Sequence, residues 1–252
     1  MNNIPYLNIE LTNRCNKSCH FCGRAAARKV GALMLGDMDM ILYRQIIDQY
    51  QGDIVQFNRD GETLLFPHLY EAIYLVRDRI VNIVTNGILL WERRKDIEDV
   101  TSITVSVIED DSEQFEAVKK FAEAYQIPVF IKFLGKYHNP EYEKLGLKTM
   151  RRTIHAPGGD WKYEKGHDPN IPELGICLDF LMKPSISWDG KFYICNRYDP
   201  GGKGIVGDVT KNNLKEIWNN DLRMQWLEYH KYGQREKVPL CSTCKFWGIP
   251  TG

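Results

Sequence analysis

The stretch Tyr6-Leu-Asn-Ile-Glu-Leu-Thr-Asn-Arg-Cys15-Asn-Lys-Ser-Cys19-His-Phe-Cys22 decides the reading of this chain. Its first half alternates apolar and polar residues from Tyr6 to Leu11, the period of a β-strand. That strand runs directly into three cysteines spaced C-x3-C-x2-C. Parallel α/β folds place their chemistry at the C-terminal ends of strands, so a ligand loop is predicted at this point. Three thiolates from one short loop can hold three irons of a four-iron cube and leave the fourth iron open to a non-protein ligand. A zinc knuckle completed by His20 is the alternative.

Downstream, the pattern alternates strands with helices. Asp37 or Asp39 is placed to cap a helix through about Tyr50, followed by a strand over 53–58. The turn Asp60-Gly61-Glu62 leads to a helix predicted from Pro67 to Arg79. A strand over 81–85, ending in Asn86-Gly87, comes next. A helix over 91–99, a strand over 102–107, a helix over 112–125 and a strand over 128–133 complete the series. Repeated βα units imply a parallel sheet with right-handed crossovers. The segment 138–176, punctuated by Pro and Gly, breaks the rhythm. It reads as a linker, as a loop closing on substrate, or as the place of a sixth strand. From 184 to 195 two β-like runs flank Asp189-Gly190, a hairpin signal suited to a type I′ turn. A helix from about Leu214 to His230 follows.

The remaining cysteines are Cys177, Cys195, Cys241 and Cys244, the last two forming a C-x2-C pair. Four thiolates close a site completely, and zinc and a fully ligated four-iron cluster are both compatible with the spacing.

The cysteine loop after the first strand resembles the signature of the radical S-adenosylmethionine (SAM) superfamily. The second cysteine set, with its hairpin and the segment Gly207-Asp-Val…Leu214-Lys-Glu-Ile-Trp218, is similar to the Twitch domain, the shortened form of the SPASM domain. The resemblance implies an α/β fold: a partial (βα)6 TIM-like barrel over about 1–150, its last strand within 138–176. A small hairpin-plus-helix auxiliary domain follows over 177–252. It implies two 4Fe-4S clusters. Cys15, Cys19 and Cys22 would ligate the first, which cleaves SAM to a 5′-deoxyadenosyl radical. Cys177, Cys195, Cys241 and Cys244 would ligate the second. In size and cysteine layout the chain is most similar to members that oxidise a secondary alcohol to a ketone. The auxiliary cluster would then accept an electron.

The same resemblance places SAM contacts at Phe21, Gly61, Glu62, Thr85, Asn86 and Ser106. The Gly-Gly-Glu motif of the family is degenerate here: Asp60 stands for its first glycine. The three cysteines and the four account for all seven in the chain, so no thiol is left as a hydrogen-atom donor, which argues against an epimerase. An alcohol dehydrogenase needs a group to receive the hydroxyl proton. The candidates are Arg152, His155 and Arg197, with Arg151 and Asp160 beside them. Lys132 is read either as a cavity residue or as a rim lysine.

The 252 residues carry 33 basic and 33 acidic side chains, so net charge supports neither a nucleic-acid nor a membrane-surface partner. No apolar run approaches the ~20 residues of a membrane helix. The N-terminus lacks a signal peptide pattern. The expected compartment is the cytoplasm, where cysteines serve metal or redox sites more than disulfides. The expected partners are a small polar substrate and a reductant such as flavodoxin or ferredoxin. The rivals are a maturase of ribosomal peptides and a non-catalytic iron–sulfur or zinc scaffold.

Overall fold

In a computed structural model, described for residues 3–20, 22–24, 27, 34–152, 175–197, 199, 201–242 and 244, the first six strands form the parallel sheet that the alternation implies. They are β1 (Tyr6–Ile9), β2 (Ile54–Phe57), β3 (Ile80–Thr85), β4 (Ser102–Val107), β5 (Val129–Leu134) and β6 (Lys148–Arg152). Each pairs in parallel with the next. The strands β1 and β6 lie apart in the sheet order, so the barrel is open. The sixth strand falls inside the segment 138–176 whose pattern was hardest to read.

The two faces of this sheet differ. Leu7, Ile9, Val55, Phe57, Val81, Ile83, Val105 and Ile131 are fully buried on one face, each contributing roughly 1.5–3 kcal/mol. The register aligns Asn8, Gln56, Asn82 and Ser102 on the other face, and Ser106, Lys132 and Met150 further along it. A hydrogen-bonded rail crosses it: Tyr6 donates to Gln56, Gln56 Nε2 to Asn82 Oδ1 (2.9 Å), and Asn82 Nδ2 to Ser102 Oγ (2.9 Å). Parallel sheets covered on both faces are apolar on both. The polar, hydrogen-bonded face therefore differs from a packed apolar layer.

The helices are α1 (Met40–Gln49), α2 (Leu69–Tyr74), α3 (Ser112–Ala124) and α4 (Glu141–Lys144). Asp39 caps α1 through the amides of Ile41 and Leu42. Two helices are shorter than the sequence pattern predicts. The segment 91–99 holds only a 3-10 turn, Arg94–Ile97. Arg93 pulls this segment out of regular helix by donating to the carbonyls of Leu64 (2.5 Å) and Phe66 (3.0 Å) and to Asp96 (2.6 Å). The helix predicted from Pro67 starts at Leu69. It ends in tighter turns in which Val76 and Arg79 donate three residues back.

The C-terminal part continues the same sheet. After α5 (Leu178–Met182) come β7 (Ser185–Ile186), β8 (Lys191–Tyr193) and β9 (Ile205–Asp208). β7 pairs in parallel with β1, and β8 and β9 follow antiparallel, giving nine strands in one sheet. The hairpin is present, but its turn is not type I′. Gly190 has φ +85° and no residue other than glycine has positive φ among the described residues. Ser187 N donates to Lys191 O (3.0 Å), which makes a three-residue loop with glycine in the left-handed position.

The predicted long helix is two, α6 (Leu214–Trp218) and α7 (Asp221–Lys231). Asn213 and Glu216 form a capping box on α6. Asn220 then starts a new helix: Oδ1 accepts from Arg223 N (2.8 Å) and Nδ2 donates to Val206 O (2.6 Å). Replacing Asn220 with Ala should cost about 1–2 kcal/mol. That lowers the thermal midpoint by about 2–4 °C per kcal/mol. Asn219→Ala, on exposed surface, should leave it near the wild type in the same melts.

Candidate active site

The loops at the C-terminal ends of β1, β2 and β3 meet. Thr12 pairs with Asp37 across a single β-bridge, and its hydroxyl donates to Asp37 (2.6 Å). Asn13 Oδ1 accepts from Gly36 N (2.9 Å), and its Nδ2 donates to Met34 O (2.7 Å). Arg24, buried, donates through Nε to Asn13 O (2.6 Å). The cysteine loop is thus closed at its base by the returning chain at 34–38. Glu62 N donates to Arg14 O (2.7 Å), bringing the β2 loop against it. A Cβ on Gly61 would lie 2.0 Å from Thr12 O, 2.7 Å from Asn13 Cα and 2.8 Å from Arg14 O. Only glycine permits that approach.

Cys15, Cys19 and Cys22 are free thiols. Cys22 N donates to Cys19 O (3.0 Å), and Lys17 N to Cys15 Sγ (3.4 Å). Burial pushes the Cys15 thiol up, and burial with the neighbouring Cys22 and Cys15 pushes Cys19 up to about 11. Bare thiolates are disfavoured in this loop, and a cationic iron cluster would reverse that balance. Phe21 lies outside the described residues.

Of the residues the sequence assigns to SAM, four cluster beside this loop. Both Glu62 oxygens are occupied: Oε1 accepts from Thr85 Oγ1 (2.6 Å) and Leu64 N (3.1 Å), Oε2 from Asn86 N (2.7 Å). Burial holds its carboxyl above the usual range. Glu62 therefore ties the β2 loop to the end of β3. Asn86 Nδ2 donates to Asn16 Oδ1 (2.7 Å) and approaches Cys15 Sγ (3.9 Å). Ser106 stands apart, on the polar face of β4 beside Lys132.

Gln114 was not among the sequence candidates. Its side chain bridges the ends of β3 and β4, donating to Asn86 O and to Ser106 O (3.1 Å). The signal was present: Gln114 is the one polar member of the buried stripe Gln114, Ala117, Val118 and Phe121 on α3.

A second missed group joins the two halves. Glu10 is buried at the end of β1 and accepts from the amides of Asp60 (3.1 Å) and Trp188 (3.2 Å). Burial, with the Asp60 charge, pushes it up to about 7. Arg59 pairs with Asp60 (3.3 Å) and lies 3.7 Å over the Tyr193 ring. It donates to Ser185 Oγ (2.8 Å), which donates to Cys195 O (3.1 Å). Through Arg59 the β2 loop is keyed to the segment carrying Cys195.

Cys177, Cys195, Cys241 and Cys244 are also free. Burial raises Cys195 most, with Asp179 adding to it. Burial, Cys244 and Cys177 push Cys241 up to about 12. Cys244 N donates to Cys241 O (3.1 Å), which closes the C-x2-C turn. Arg235 gathers the C-x2-C turn by donating to Cys241 O (3.2 Å) and Cys244 O (2.9 Å). An all-thiol donor set on short turns suits iron or zinc. Among the described residues no three Cys, His, Asp or Glu side chains close on one point as ligands of a single ion do.

Of the proton-acceptor candidates, Arg152 ends β6 and Arg197 is buried in the segment after β8. Arg197 Nη2 lies 3.5 Å from the buried Asp179 Oδ2. Burial and the charge of Arg197 lower Arg152, while Asp179 and Cys195 oppose that. Lys132 is buried, in register with Ser106 and Met150 on the polar face of the sheet. His155 lies outside the described residues.

Residues 177–245 match the SPASM family, an iron–sulfur cluster-binding domain. The S-adenosyl-L-methionine-dependent 2-deoxy-scyllo-inosamine dehydrogenase of Niallia circulans is 23% identical over 260 residues. The match covers 97% of this chain and 94% of that one. The crystal structure of BtrN in complex with AdoMet and 2-DOIA superposes with a TM-score of 0.68 at 20% identity, over 97% of this chain and 94% of that one. Streptococcus suis SuiB bound to S-adenosylmethionine gives 0.64 at 13% identity, over 98% and 72%. At these identities the two structures speak for the fold. No helix among the described residues is long and apolar enough to cross a membrane.

Proposed function

We propose that this chain is a radical SAM oxidoreductase that oxidises an alcohol of a small polar molecule, with a SPASM auxiliary cluster beside the site. One observation carries the reading. The seven free thiols divide into two sets, and both segments are tied to the β2 loop: Glu62 N donates to Arg14 O beside Cys15, and Arg59 donates to Ser185, whose hydroxyl donates to Cys195 O. The full-length likeness to a SAM-dependent dehydrogenase supports the same reaction class.

When bound, SAM and the first cluster supply a radical that removes a substrate hydrogen atom, and the auxiliary cluster supplies a sink for the second electron. The chain's own residues do the rest. Cys15, Cys19 and Cys22 would hold the first cluster, and Cys177, Cys195, Cys241 and Cys244 the second. Gly61 lets the β2 loop close on the cysteine loop. Glu62, Thr85, Asn86 and Gln114 fix the ends of β3 and β4, and we place SAM against these loops, with Ser106 on the polar face beside it. We assign Arg152 and Arg197 to the substrate oxygen as hydrogen-bond donors, and Asp179, beside Arg197, as acceptor of its proton. Our division of the chain ends the core near 150 and starts the auxiliary domain at 177. The reading also takes a cytoplasmic setting and a flavodoxin- or ferredoxin-type reductant.

The test is anaerobic reconstitution, with iron, zinc and 5′-deoxyadenosine measured per chain. About eight irons with little zinc, and SAM cleavage on reduction, are expected. About four irons and one zinc would make the C-terminal site structural and remove the electron acceptor. Absence of SAM cleavage would sink the enzyme reading.

A further inference from the structure

The return segment that closes the base of the cysteine loop is itself held from the C-terminal part of the chain. Gly36 N donates to Asn13 Oδ1 (2.9 Å), Asn13 N donates to Gly36 O (3.2 Å), and Met38 N donates to Leu11 O (2.8 Å). Gly36 also meets the indole of Trp188. A Cβ at Gly36 would lie 2.2 Å from Cζ3, 2.3 Å from Cε3 and 2.4 Å from Cη2 of that ring. The φ of Gly36 is not positive, so the ring, and not the backbone conformation, excludes a side chain here. Trp188 is the first residue of the hairpin loop between β7 and β8. Its amide donates to Glu10 Oε2 (3.2 Å), and Glu10 N donates to Ile186 O (2.9 Å). A rigid ring on a backbone fixed to the end of β1 thus lies on the glycine that carries Asn13. The hairpin takes its place from the sheet and needs no metal for it: β7 pairs with β1, and β8 with β7 and β9.

We propose that Trp188 is a positioning residue for the first thiol set. Its ring presses the return segment onto Asn13 and so shapes the loop of Cys15, Cys19 and Cys22 before any iron arrives. The inference rests on the proposed SAM-cleaving role of that loop, and it adds that a residue of the C-terminal hairpin presets the loop. Ligands held in place beforehand lose less conformational freedom when they bind, and the groups that orient ligands govern metal and substrate affinity from outside the coordination shell. The hairpin continues through β8 to Cys195, so the same ring sets the first thiol loop against the segment of the second.

The test starts from the metal-free full chain. Each cysteine is alkylated with iodoacetamide under native conditions and its rate resolved by mass spectrometry. The reconstituted protein is then titrated calorimetrically with SAM. Trp188→Ala should speed alkylation of Cys15, Cys19 and Cys22 about tenfold through local opening, with Cys241 and Cys244 at their wild-type rates. SAM binding should weaken about tenfold. Gly36→Ala, which drives a methyl group into the same ring, should do the same. Trp188→Phe, which keeps an aromatic ring over Gly36, should restore most of both readouts. The two alanine changes combined should be no worse than either alone, because each removes the same contact. A ring that only stabilised the fold would expose all seven thiols together. Should Trp188→Ala do so by failing to fold, Gly36→Ala decides, since it leaves the hairpin whole. Wild-type rates at the three thiols in Gly36→Ala, a rise shared by all seven there, or additive effects in the double variant overturn the proposal. The thiol rates need no cluster. Absence of SAM cleavage in the wild type would therefore remove the enzyme reading and leave the Trp188 contact standing, and unchanged thiol rates would do the reverse.

Discussion

Replacing Cys15, Cys19 and Cys22 together by Ala should abolish SAM cleavage and lower iron from about eight to about four per chain. The three thiols lie on a loop whose base is fixed elsewhere, by Thr12 on Asp37 and by Asn13 on Gly36 and Met34. Their removal takes the ligands and leaves that frame. The auxiliary site, built from other segments, should keep its iron and its absorption. The opposite variant, Cys241 and Cys244 to Ala, should keep SAM cleavage and lose the oxidised product. Iron content and 5′-deoxyadenosine, measured together, check both halves. If the triple variant still cleaves SAM, the loop does not hold the reactive cluster. If it loses all its iron, the two sites do not assemble independently.

The second large effect is expected at Gly61. Its missing Cβ faces backbone: Thr12 O at 2.0 Å, Asn13 Cα at 2.7 Å and Arg14 O at 2.8 Å. A flexible side chain could swing away, but these atoms belong to the bridge and hydrogen bonds that close the cysteine loop. Gly61→Ala must push the β2 loop outward, which strains Glu62 N on Arg14 O and the Glu62 contacts to Thr85 and Asn86. Overpacking of this kind costs about 1–3 kcal/mol. SAM affinity should fall about tenfold or more, since the displaced atoms border both the loop and the end of β3. Gly201→Ala, which would touch only the flexible Lys203 side chain at 3.7 Å, should change neither stability nor affinity. Calorimetric titration of SAM and thermal melts of both variants decide it. Near-wild-type affinity in Gly61→Ala would show that the two loops need not touch.

The parts of this architecture that were legible in the sequence are those with a local cause. The cysteine spacings, the strand alternation and the Asp39 cap each lie within a few residues, and the structure repeats them. Helix lengths were less legible, because long-range contacts set them. Arg93 reaches the carbonyls of Leu64 and Phe66 and unwinds its own segment. Asn220 reaches Val206 and divides a continuous helical pattern. The Asp189-Gly190 turn was found, but its geometry follows the Ser187–Lys191 pairing and not the dipeptide. The candidate site residues divide in the same way. Gly61, Glu62, Thr85 and Asn86 announce themselves at strand ends. Glu10, Arg59 and Ser185 matter only because β7 lies beside β1, a pairing that 176 residues of chain separate at Asn8 and the Pro184 carbonyl. The sheet face that Lys132 adopts likewise needs the register.

That pairing also has a consequence for biosynthesis. β1 emerges from the ribosome first, acquires β2 on one side within fifty residues, and waits for Ser185 and Ile186 to cover the other. Until then a parallel sheet presents a bare edge of amides and carbonyls, the kind of surface on which nascent chains pair with one another. Closing so long a loop is slow, and the edge stays bare through most of synthesis.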